Sequence, residues 1–101
     1  MIREPRPLLI FFRSEQSGPA RRMESLLAHL QRKERARLRV RRVDVDRRPD
    51  LAERFEVAEI PTLVLVKERR VAGRIEGRAT APAIERMLEP HLPPLLAEAA
   101  A

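Results

Sequence analysis

Two short stretches, Pro7-Leu8-Leu9-Ile10-Phe11-Phe12 and Leu63-Val64-Leu65-Val66, are apolar at every position. Successive side chains of a strand point to opposite sides of a sheet, so an unbroken apolar run bounded by turn residues is a strand covered on both faces. Two such strands demand cover above and below. The chain has 101 residues, enough for one domain and not for two. The expected unit is a single domain over residues 1–101, with its core in about 7–92 and a tail from 93 to 101.

The residues between the two runs read as that cover. After a polar turn at Ser14 to Gly18, Pro19 suits the first turn of a helix, where its missing N–H costs nothing. Met23, Leu26, Leu27 and Leu30 then follow helical spacing, which predicts one helix ending near Glu34. Leu38 to Val45 reads as a second strand. Asp46 is placed to cap a short helix through Pro49, Leu51 and Phe55. Beyond the Leu63–Val66 strand, Lys67 to Arg70 form a hairpin turn, and Val71, Gly73 and Ile75 alternate with polar residues as in an edge strand. Gly77 breaks that strand. Thr80 can cap a last helix carrying Ile84, Met87 and Leu88, with Pro90 ending it. The order is β-α-β-α-β-β-α, an α/β fold with a four-stranded mixed sheet and helices on both faces.

Composition narrows the chemistry. There is no cysteine, which removes disulfides, thiolate nucleophiles and thiolate metal ligands together. The two histidines, His29 and His91, lie far apart, so no metal site and no cofactor are expected. Lys and Arg number 21 against 15 acids, a formal +6. The acids are interspersed with the bases, and only three aromatics are present to stack on bases. A solvated surface is therefore expected before a nucleic-acid partner. No run is long and apolar enough for a membrane span and no leader is visible, so the expectation is a cytoplasmic protein without membrane contact.

Within this order, several motifs resemble the thioredoxin family. Ser17-Gly18-Pro19-Ala20, between the first strand and its helix, resembles the family's Cys-Gly-Pro-Cys turn. Val43-Asp44-Val45-Asp46 followed by Pro49 resembles its second strand and exit. Ile60-Pro61-Thr62 resembles the segment whose proline is cis and faces the turn, and Gly77 matches the glycine after the hairpin. The spacing agrees with bacterial thioredoxins without gaps over about residues 7 to 92. The resemblance implies a minimal thioredoxin fold.

It also implies lost chemistry. In the family a thiolate at the helix N-terminus attacks a disulfide, its pKa lowered by the helix. The Ser17 hydroxyl forms no mixed disulfide, and Ala20 removes the resolving thiol. Aligned in the same way, Phe11 replaces a buried acid, Gln16 a tryptophan, and Arg42 the lysine that partners the acid. A redox-inactive member with no catalytic residue is expected. The alternative is a thiol-disulfide oxidoreductase seen in a cysteine-less, inactivated form, which explains Ser17 and Ala20 but not Phe11 or Gln16. Serine catalysis, as in some glutathione transferases of this fold, needs a helical second domain and a base, and His29 lies more than three helical turns from Ser17.

Two surfaces remain for binding. The family pairs extended peptides with a groove that here comprises Ser17 to Ala20, Ile60, Pro61 and Gly77, rimmed by Gln16, Glu59, Glu76 and Arg78. A charged rim favours a chosen polar partner over promiscuous apolar contact. Only sixteen residues precede Ser17, leaving no room for the family's extra N-terminal strand and helix, so the second strand becomes a sheet edge bearing Arg39, Arg41 and Arg42. Such charges oppose unwanted pairing. The same arginines also fit an acidic protein partner or a homodimer through the edge. The expectation is a non-catalytic protein-binding or assembly module, with an Arg-mediated binder of nucleic acid or another polyanion as a third reading.

Overall fold

The computed structural model describes residues 6–94. It contains β1 (Leu8–Arg13), α1 (Gly18–Arg22), α2 (Glu24–Lys33), β2 (Arg39–Asp44), α3 (Pro49–Arg54), β3 (Thr62–Lys67), β4 (Arg70–Glu76) and α4 (Ala81–Leu88), followed by a 3-10 turn over Glu89–His91. The sheet order is β2-β1-β3-β4. β1 runs parallel to β2 and antiparallel to β3, and β3 runs antiparallel to β4. The two wholly apolar runs are thus the two central strands, and β2 is an edge.

Alternation along β1 divides the core. Leu9 and Phe11 face one side with Leu27, Leu63, Leu65, Ile84 and Leu88. Ile10 and Phe12 face the other with Val64, and Leu51 and Phe55 lie against them. The rings of Phe12 and Phe55 stand 5.7 Å apart at 53°, within the range for favourable tilted aromatic pairs. Gly73 brings β4 against α4: a Cβ there would lie 2.8 Å from Met87 Cγ.

Two local expectations are corrected. The single helix predicted from Pro19 to Glu34 is two, because the Met23 N–H bonds to the Ala20 carbonyl three residues back and interrupts the i→i−4 ladder. Asp46 does not cap α3; Arg48 holds the N-cap position without a side-chain bond, while the Asp46 carboxylate accepts a hydrogen bond from the Ser14 hydroxyl. α4 stops at Leu88, two residues before Pro90, as a proline following a helix requires, and Pro90 stands in the 3-10 turn that follows. Thr80 does cap α4, accepting from the Ala83 N–H. Most of the proposed tail, residues 95–101, lies outside the described residues.

The β3–β4 turn has an unusual composition. Glu68 and Arg69 hold φ of 53° and 65°, the left-handed pair of a type I′ turn, which Asn-Gly fits far better. Glu68→Asn combined with Arg69→Gly should raise stability by about 1 kcal/mol. The midpoint of urea unfolding should move up with an unchanged slope. A lower midpoint would show that the turn residues contribute contacts beyond the backbone.

Candidate functional site

The turn after β1 is built by short polar side chains. Ser14 is 8% exposed; its hydroxyl donates to Asp46 Oδ2 at 2.7 Å and accepts from the Gln16 N–H at 3.3 Å. The Ser17 N–H closes the turn on the Ser14 carbonyl at 3.0 Å. Ser17 takes extended backbone angles, φ −95° and ψ 110°, and its Oγ accepts from the Ala20 N–H at 3.2 Å. These are the marks of a helix N-cap. Pro19 stands in the first turn, and Ala20 is wholly buried in the core. A Cβ on Gly18 would meet only the Arg22 guanidinium, at 3.6 Å, so no backbone crowding requires glycine there.

Removing the Ser17 cap leaves the Ala20 N–H without its partner. Ser17→Ala should therefore cost about 1 kcal/mol, and Ser17→Asp should retain most of the stability. Thermal unfolding of the two variants beside the parent checks the order. An unchanged Ser17→Ala melting temperature would deny the cap any energetic role.

Two other segments meet at the same end of the sheet. The Ile60–Pro61 peptide bond is cis. Pro61 is buried, and its carbonyl accepts from the Gly77 N–H at 2.8 Å. The Thr62 hydroxyl donates to the Glu59 carbonyl. Gly77 has φ of 81°, and Glu59 Oε1 lies 3.2 Å from where its Cβ would stand. The register places Thr62 opposite both Phe12 and Glu76. The end of β1, the start of β3 and the end of β4 therefore share one end of the sheet. That brings Glu59, Ile60, Pro61, Glu76, Gly77 and Arg78 to the same end as the Ser17 turn. No backbone hydrogen bond among the described residues engages Ile60.

The expected rim is charged but partly occupied. Gln16, Glu59, Glu76 and Arg78 are exposed. Glu76 pairs with Arg74 at 3.2 Å. Arg74 also donates from Nη2 to the Phe55 and Glu56 carbonyls, holding the C-terminal end of α3. Sequence reasoning missed this role, because only the fold brings β4 beside the end of α3.

Phe11 is wholly buried among Leu9, Leu63 and Leu65. Arg42 turns to α2: Nε donates to Glu24 Oε1 at 2.8 Å and Nη1 to Gln31 Oε1 at 3.0 Å. Arg13 Nε lies 3.0 Å from Glu24 Oε2 without hydrogen-bond alignment, so Glu24 is shared by two guanidinium groups. Arg39, Arg41 and Arg42 do not form one patch. Pairing with β1 puts Arg42 on the α2 side with Phe11, and Arg39 and Arg41 on the opposite side with Leu8 and Ile10. β2 and β4 are opposite edges, so these arginines and the Gly77 rim belong to different surfaces.

Among the described residues no cluster of His, Asp or Glu is placed to hold a metal ion, and no helix is long and apolar enough to cross a membrane.

A capped helix opening on Gly-Pro, at the same end of a β2-β1-β3-β4 sheet as a cis proline, defines a thioredoxin-type scaffold. The thioredoxin family model matches residues 1–90, and the chain belongs to the thioredoxin family. It is 32% identical over 90 residues to the thioredoxin of Mycobacterium tuberculosis, covering 89% of this chain and 78% of that protein. It is 32% identical over 73 residues to thioredoxin-like protein slr0233 of Synechocystis, covering 72% and 70% respectively. Among solved structures, mitochondrial thioredoxin 3 of Saccharomyces cerevisiae superposes with a TM-score of 0.76 at 33% identity, covering 83% of this chain and 77% of that one. Within this family the chain carries no thiol that could form a mixed disulfide.

Proposed function

We propose that the protein is a non-catalytic, thioredoxin-like binding or assembly module of the bacterial cytoplasm, which recognises a polar protein segment at the Ser17–Pro61–Gly77 end of the sheet. The observation that carries this reading is the role of Ser17. Its hydroxyl accepts from the Ala20 N–H and has no side-chain hydrogen-bond partner among the described residues that could act as a base. The turn lacks both thiols while its frame persists, and Ile60 makes no backbone hydrogen bond among the described residues. A peptide laid against Ile60 would gain main-chain hydrogen bonds, and the rim of Gln16, Glu59 and Arg78 would select polar side chains.

The competing view, an oxidoreductase lacking only its cysteines, makes a different forecast. Phe11 fills the core where the family's acid would assist proton transfer, and Arg42 is engaged by Glu24. In an insulin-reduction assay the unaltered chain should give the rate of dithiothreitol alone. Ser17→Cys with Ala20→Cys should stay roughly tenfold or more below a thioredoxin measured beside it, because proton transfer by a placed group contributes about 100-fold or more. Thioredoxin-like turnover by the double variant would favour the inactivated-enzyme reading. Turnover by the unaltered chain would refute the module. Affinity capture from host extract, repeated with Gln16→Ala and Arg78→Glu, tests the binding surface; undiminished capture would place recognition elsewhere.

A further inference from the structure

The sheet face that carries α3 is only partly covered. α3 has six residues, and beside it Leu8, Ile10, Val43, Leu51 and Phe55 line a groove of about 450 Å³. A parallel pair such as β1–β2 normally has cover on both faces. The groove opens beside β2, whose outer backbone groups have no strand partner among the described residues. An unpaired edge next to an apolar groove is a template for an added strand, with alternate side chains directed to the groove side.

The charges specify which strand. Nearby acids already have partners: Asp44 pairs with Arg13 at 3.7 Å, Asp46 with the Ser14 hydroxyl at 2.7 Å, and Asp50 with Arg48 at 3.0 Å. Arg39, Arg41 and Arg47 make no ion pair among the described residues. Arg39, Arg41 and Val43 lie on the groove side of β2, and Arg41 and Arg47 border the groove. A second copy suits this edge poorly. In the two-fold antiparallel registers centred on the strand, either Arg41 or Arg42 lies directly opposite its own counterpart, which sets arginines face to face.

We propose that β2 is the docking edge for an acidic, extended segment of another protein, which hydrogen-bonds to the outer backbone of β2. Two acidic side chains at alternate positions meet Arg39 and Arg41, and an apolar residue two further on lies over Val43 at the groove. This surface is separate from the Ser17–Pro61–Gly77 end and does not depend on peptide recognition there.

Fluorescence anisotropy with three labelled peptides tests the proposal: a Glu-Val peptide, Val-Thr-Glu-Thr-Glu-Thr-Val, whose two Glu and flanking Val share one strand face in either chain direction; its Lys-Val counterpart with Lys for both Glu; and a Glu-Pro version with proline for the Thr residues, which keeps the charge but cannot donate as a strand. The Glu-Val peptide should bind roughly tenfold or more tightly than either control, and Arg39→Glu with Arg41→Glu should remove that advantage while circular dichroism stays unchanged. Both arginines are exposed, so the variant should fold. Equal binding of the Glu-Pro peptide, or of an oligothymidylate, would reduce the edge to a diffuse polyanion surface and overturn the proposal. A dimer detected by light scattering and abolished by the same substitutions would assign the edge to a second copy and overturn it too. Affinity that falls with Gln16→Ala and Glu59→Ala instead would overturn it while leaving the turn-end module standing.

Discussion

Phe11→Asp is expected to unfold the protein or leave it barely stable. The side chain is 0% exposed, on a central strand, with leucines around it. Loss of the ring alone costs about 3–5 kcal/mol, and a carboxylate without a partner adds its desolvation. Small domains have only about 5–15 kcal/mol in total. The nearest cation on that side of the paired strand, Arg42, is already held by Glu24 and Gln31. A control, Phe11→Leu, should cost about 1 kcal/mol, since volume is largely kept.

The sign of the pH dependence identifies the cause. Burial raises the introduced carboxyl's folded pKa above its unfolded value, so the native state holds the proton more tightly. Stability relative to Phe11→Asn should therefore be highest below about pH 4 and fall as pH rises from there. Urea unfolding at several pH values, followed by far-UV circular dichroism, measures it. A Phe11→Asp protein as stable as Phe11→Leu at neutral pH would mean that the site can admit an acid, and the departure from the family at this position would lose its structural meaning.

At Gly77 a graded series is expected. The φ of 81° suits glycine and strains other residues, β-branched ones most. A Cβ would also approach Glu59 Oε1 to 3.2 Å. Gly77→Asn should cost least, Gly77→Ala about 1–2 kcal/mol, and Gly77→Val about 2–4 kcal/mol. The Gly77 N–H bond to the Pro61 carbonyl holds the backbone in place, so relaxation out of this conformation would break the contact between the two site segments. Combining Gly77→Ala with Glu59→Ala should recover the steric part and leave the conformational part, which appears as a non-additive cycle. If valine were as benign as asparagine, the positive φ would not be holding this segment.

How far the sequence reached varies by element. Leu8–Phe12 and Leu63–Val66 were legible as central strands because burial on both faces leaves no polar position in the run. Thr80 was legible as a cap, since its hydroxyl acts three residues away. Asp46 was misread because a carboxylate before Pro49 has the local pattern of a cap, while its actual donor, Ser14, lies 32 residues away in sequence. The break at Met23 carries no glycine or proline, so nothing local announces it. Strand alternation already separates Arg42 from Arg39 and Arg41, but which of the two faces carries α2 and which the groove is assigned only by pairing with β1.

From its sequence alone this chain was bound to be a thiol-free α/β domain with two buried strands and a Gly-Pro helix start, because these follow from residue identity and short-range periodicity. Tertiary structure decided the rest. It set Ser17, Pro61 and Gly77 at one end of the sheet, turned Arg42 toward Glu24, and left Arg41 bordering an apolar groove with Arg39 on the same face of β2. Those outcomes depend on which strands become neighbours, and neighbours in a sheet are chosen by the burial of the whole chain.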